Sequence, residues 1–66
     1  MRSPNRLFNF YNELTRVHML YYPDWRFGQF MVNFFYWIEE SKERDPFYIE
    51  EDKMIEYLRE YAGELN

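Results

Sequence analysis

Cysteine is absent from this 66-residue chain, which excludes a disulfide frame, a zinc–thiolate site, a thiol nucleophile and the stapled secreted mini-protein class. A reducing cytoplasm is the expected setting. Glycine is nearly as scarce, and 2 residues exclude both a phosphate loop of the Gly-x-x-x-x-Gly-Lys type and a dinucleotide fingerprint. Long apolar runs are missing as well. The longest uncharged stretch, Phe27 to Ile38, has 12 residues and contains Gly28, Gln29 and Asn33, whereas a bilayer span needs about 20 mostly apolar positions. The opening Met1-Arg2-Ser3-Pro4-Asn5-Arg6 has the charge of a signal peptide, but Asn9, Asn12, Glu13 and Arg16 interrupt the residues behind it, so neither export nor membrane insertion is expected. A basic stripe is also lacking: Lys and Arg number 8 against 12 acids, for a net charge of −4. General nucleic-acid binders carry excess positive charge, so nucleic acid is not the expected partner.

What the chain has in plenty is aromatic rings. Seven Phe, 7 Tyr and 2 Trp make 24% of the residues, a richness that disordered chains do not show. A single packed domain over residues 1–66 is therefore expected, since a chain of this length has no room for two cores. Charge is divided unevenly. Residues 1–38 carry +2 and residues 39–66 carry −6, so the halves can close on each other or pair head to tail with a copy.

Residue spacing predicts an all-α, three-helix domain with helices at about 4–21, 24–43 and 50–62 and an aromatic turn at 45–49. Ser3-Pro4 combines a capping residue with a proline tolerated at the first helical position. Leu7, Phe10, Tyr11, Leu14, Val17, His18 and Tyr21 then recur at spacings of three and four up to Pro23. Asp24 is the expected cap of the second helix, and Phe27, Phe30, Met31, Phe34, Trp37 and Ile38 are its buried stripe. Gly28, costly in a helix, suggests close approach by another backbone. Phe47-Tyr48-Ile49 is expected to tuck onto the core as a turn. Helix three can start at Pro46, with Asp45 as cap, or at Glu51; the carboxylates of Glu50, Glu51 and Asp52 favour the later start. Met54, Ile55, Leu58, Tyr61 and Ala62 form its stripe, and Gly63 ends it.

Reactive constellations are sparse. His18 is the only histidine and has no second ligand or acid at a useful spacing, so it reads as an amphipathic residue at the edge of the first stripe. Ser3 and Ser41 suggest a cap and a charged helix end, with no nucleophilic arrangement. Glu50, Glu51, Asp52 and Asp45 could ligate Mg²⁺ or Ca²⁺, but a calcium-loop pattern is missing and a dipole-favoured first turn explains the same acids. No enzyme activity, cofactor or metal is expected. Trp25-Arg26-Phe27 can stack on unpaired bases, yet Trp25 and Phe27 are more simply a lid over the helix junction.

A domain this small buries only about 60% of its unfolded surface, so some rings must remain outside. Phe8, Tyr22, Trp25, Phe35, Tyr36, Tyr48 and Tyr57 are the candidates. Tyr, Trp and Phe are enriched at interface cores. The candidate interaction face is therefore Tyr22, Trp25, Arg26, Phe35, Tyr36 and Tyr48, flanked by Glu50 and Glu51.

The segments Pro23-Asp24-Trp25-Arg26-Phe27-Gly28-Gln29, with Asn33 after it, and Asp45-Pro46-Phe47-Tyr48-Ile49-Glu50-Glu51-Asp52 resemble a recurrent group of small uncharacterised bacterial and phage proteins. That group shares Pro-Asp-x-Arg-x-Gly-Gln and Asp-Pro-Phe-Tyr-x-Glu-Asp-type segments, and the resemblance covers about residues 4–62. It implies a helical cytoplasmic protein and transfers no activity. The chain departs from the pattern in Trp25, Phe34, Phe35, Tyr36 and Trp37, where shorter residues are usual. These rings suggest a binding surface, and a phage or prophage setting makes a host protein, such as a defence or nucleic-acid-processing factor, the natural target to modulate or inhibit. The alternatives are a self-associating small protein whose aromatic face is a homodimer interface and a single-stranded nucleic-acid binder using Trp25 and Arg26.

Overall fold

The computed structural model describes residues 2–65 and contains α1 (Asn5–Tyr21), α2 (Phe27–Lys42), a 3₁₀ turn (Pro46–Tyr48) and α3 (Glu51–Tyr61). No strand occurs among the described residues. The all-α, three-helix architecture is the one the spacing predicts, with a radius of gyration of 11.7 Å against about 11 Å for a folded chain of this length.

The start of α1 follows its sequence signal. Ser3 Oγ accepts the Asn5 N–H at 3.2 Å, and Pro4 already has helical dihedrals. Phe10, Leu14 and Val17 form its buried line. Tyr11 and Tyr21, expected on the same stripe, are instead 58% and 39% exposed. Seven positions span a wider arc than two neighbouring helices can cover, so the flanking tyrosines remain in solvent.

Between α1 and α2 the chain makes a tight turn in which Tyr22 O accepts the Trp25 N–H at 3.1 Å around Pro23-Asp24. Asp24 is therefore a turn residue and not the helix cap, because the helix begins three residues later. Arg26 occupies the cap position, and its N–H is satisfied from within the helix by Gln29 Oε1 at 2.8 Å. Residues 27–29 are all exposed. This first turn lies beyond the covered part of the domain, which explains why Phe27 is neither core nor lid and why an added Cβ at Gly28 would meet nothing within 4 Å. The expected close approach at Gly28 does not occur within one chain. From Phe30 onward the stripe is covered: Phe30, Phe34 and Ile38 are fully buried.

Helix α2 stops at Glu43, which takes a left-handed conformation with φ 53°. That conformation costs an L-residue roughly 1–2 kcal/mol and glycine far less. Glu43→Gly is thus expected to raise the melting temperature by roughly 4–8 °C; a lower midpoint would show that the Glu43 side chain has a stabilising role.

Asp45 does cap with Pro46 in the first position, its Oδ1 accepting the Phe47 N–H at 2.9 Å, but the result is a single 3₁₀ turn. Helix α3 itself starts at the later position, Glu51. The expectation that the turn tucks Phe47 and Tyr48 inward is overturned, and Tyr48 is instead an outside ring as its place on the candidate face requires: the two are 84% and 75% exposed, and Ile49 alone is buried. In a 3₁₀ turn residues i and i+3 share a face, so the half-buried Pro46 and buried Ile49 turn inward and direct the two rings away.

Met54, Tyr57 and Leu58 are the buried line of α3. Tyr57, expected outside, is inside because Arg44 supplies its hydroxyl with a donor at 3.1 Å and Lys42 lies 5.4 Å from its ring centre. The helix ends at Tyr61, and the left-handed Gly63 (φ 85°) turns the chain away, the N–H groups of Gly63 and Glu64 returning to Glu60 and Arg59 carbonyls at 3.0 and 2.8 Å.

Candidate functional site

The eight sequence-predicted site residues lie in four places. Tyr22 and Trp25 meet at the α1–α2 junction, their rings stacked at 4.6 Å and 13°. Behind them His18 Nε2–H donates to the Trp25 carbonyl at 2.7 Å and its ring lies 4.7 Å from Phe30. The Tyr22 hydroxyl donates to the Tyr61 carbonyl at 3.2 Å, and burial pushes its pKa up. These rings form a clamp that joins the start of α2 to the ends of α1 and α3. One face of Trp25 is already taken by Tyr22, which leaves less of it for an unpaired base. Arg26, next in sequence, is exposed.

A second place is an open groove of about 360 Å³ between α2 and the 3₁₀ turn, lined by Phe35, Glu39, Asp45, Pro46 and Phe47. Phe35 is half-buried at its floor. Phe47 stands on its wall, paired edge to face with Tyr48 at 4.9 Å. Phe47 was not among the site residues expected from sequence; the signal for it was Asp45-Pro46, which holds the following ring on a turn too short to own a buried face.

Tyr36 stands separately on the outward side of α2, where its hydroxyl donates to Glu40 at 3.1 Å and that carboxylate holds its pKa above the usual phenol value.

The fourth place is the acidic start of α3, and it is already partnered. Arg2 meets Glu50 at 2.6 Å and Arg6 meets Glu51 at 2.9 Å. The same logic repeats at the other end of α1: the Arg16 guanidinium grips Glu64 through two nitrogens at 2.9 and 2.7 Å and also touches Glu13 at 2.9 Å, while Arg59 approaches Glu13 at 3.3 Å. The basic first half thus closes on the acidic second half within one molecule. Among the described residues no group of three or more His, Asp or Glu side chains is arranged to hold a metal ion.

These contacts make stability depend on acid. Arg16 first, then the Tyr21 hydroxyl, lower the pKa of Glu64 from 4.5 to about 2. A depressed folded pKa gives stability that is present above the unfolded value and lost as pH falls. The melting temperature is therefore expected to drop between pH 4.5 and about 2. Glu64→Gln should flatten that drop; a variant that melts in parallel with the parent across the window would show that Glu64 plays no part in it.

No helix among the described residues is long and apolar enough to cross a membrane. No protein-family model, curated protein or solved structure matches the chain.

Proposed function

We propose that this chain is a small non-enzymatic protein-binding module whose contact surface is the groove over Phe35, with Phe47 and Tyr48 as anchors. One observation carries the reading. Among the described residues Phe47, at 84% exposure, is the most exposed of the large apolar side chains, yet it sits on a turn pinned by the Asp45 cap and by Pro46. A ring carried on a backbone already fixed by its cap loses little backbone freedom on docking, the property of an interface anchor. Glu39 and Asp45 border the groove, so the complementary segment is apolar with a basic neighbour.

The likeness of residues 23–29 and 45–52 to small bacterial and phage proteins supports a phage or prophage origin, with a host protein modulated or inhibited in the cytoplasm. The test is affinity capture from a bacterial lysate with the parent chain and with the Phe47→Ala/Tyr48→Ala variant side by side. A protein retained by the parent and lost by the variant is the expected outcome, with helical circular dichroism equal in both. Identical retained sets would contradict the proposal.

A further inference from the structure

The two ends of α2 carry their charges in the order least suited to a lone helix. Arg26 stands at the positive N-terminal end, with no acid in the first turn. Glu39, Glu40 and Glu43 crowd the negative C-terminal end, where Lys42 is already engaged by Glu60 at 2.6 Å. Among the described residues neither Arg26 nor any of those three glutamates has a salt-bridge partner.

Between the two ends lies an apolar strip opposite the buried Phe30, Phe34 and Ile38. Val32 and Tyr36 are 67% and 62% exposed, and Gly28, one turn before Val32, has empty space where its Cβ would be. Positions 28, 32 and 36 repeat every four residues and so share one side of the helix, with 39 beside them and Glu43 at the cap that follows.

We propose that this side of α2 pairs with the same side of α2 from a second copy, antiparallel about a two-fold axis. In that register Val32 packs on Tyr36 of the other copy, Gly28 admits the partner helix closely, and Arg26 lies against the partner's C-terminal glutamates. Each contact occurs twice, because in a two-fold interface residue i meets j and j meets i. The positive end of each helix also faces the negative end of its mate, so both inverted charge arrangements are relieved together. This surface meets the Phe35–Phe47 groove at Glu39, which borders both, and the pair would present two grooves.

Sedimentation equilibrium from about 5 to about 500 µM tests the proposal, since each tenfold in affinity is readily resolved there. A reversible dimer is expected for the parent. Arg26→Glu, and separately Glu39→Arg/Glu40→Arg, should each weaken association about tenfold or more. Combining all three substitutions in one chain should restore it, because the attraction across the axis is then rebuilt with opposite signs. Arg26, Glu39 and Glu40 are all exposed, so folding is not at stake. Phe47→Ala should leave the dimer unchanged, which separates this result from the fate of the groove. A parent that stays monomeric throughout, or a combined variant as weak as the single-sided ones, would overturn the proposal.

Discussion

Alanine at Phe34 is expected to leave the chain with little cooperative structure at room temperature. Phe34 is fully buried at the middle of α2, and its ring contacts Phe30, Phe35, Trp37 and Tyr61, with centroids 6.3, 6.0, 6.3 and 5.4 Å away. Truncating such a ring removes its transfer energy and leaves a cavity, a loss of about 3–5 kcal/mol. A domain of this length is held by about 3–10 kcal/mol in all. The loss takes all of that margin at its lower end and up to about half at its upper end, the largest effect expected of one substitution here. A thermal melt followed by circular dichroism reads the result; a midpoint within a few degrees of the parent would mean that the column of rings is not the core.

Trp25→Ala should give a different outcome: a folded chain that melts roughly 10 °C lower. Trp25 is half-buried, stacked on Tyr22 and 6.3 Å from Phe30, so alanine forfeits packing at the clamp without opening the centre of the domain. About 2 kcal/mol is the expected loss, less than for a fully buried ring. The His18 hydrogen bond ends on the Trp25 carbonyl and does not depend on the indole. Helical signal at low temperature should persist. An unchanged midpoint would place Trp25 among the free surface rings.

The contrast between these residues shows what was legible in the sequence. Helix existence was legible because Phe10, Leu14 and Val17, or Phe30, Phe34 and Ile38, repeat with the helical period, and that period survives whatever surrounds it. Burial on the flanks was not, because it depends on how much arc the neighbours cover: Tyr11 and Phe27 fit the stripe and lie outside, while Tyr57 looked external and lies inside under Arg44. The start of α2 was misplaced for a related reason. Asp24 and Gln29 both offer a side-chain acceptor, and only the turn at Pro23 decides which one the helix uses.

For the candidate site the loss is larger. The division of charge between the halves announced that they attract, but Arg2 with Glu50 and Arg16 with Glu64 are each 48 residues apart, and pairing over that distance is a product of the fold. Glu50 and Glu51 are accordingly tied to arginines of the same chain and are less available to a partner. The Phe35–Phe47 groove joins α2 to the 3₁₀ turn, and no local pattern could have located it.

If Phe47 is held outside the core for a partner, it contributes to binding and nothing to holding the fold. A calorimetric titration of the captured protein into the parent chain and into Phe47→Ala separates those two roles. About 30-fold weaker binding is expected, the equivalent of ~2 kcal/mol for an interface anchor, with melting temperatures equal within a few degrees. Equal affinities, or a variant that loses its fold along with its binding, would refute the anchor role.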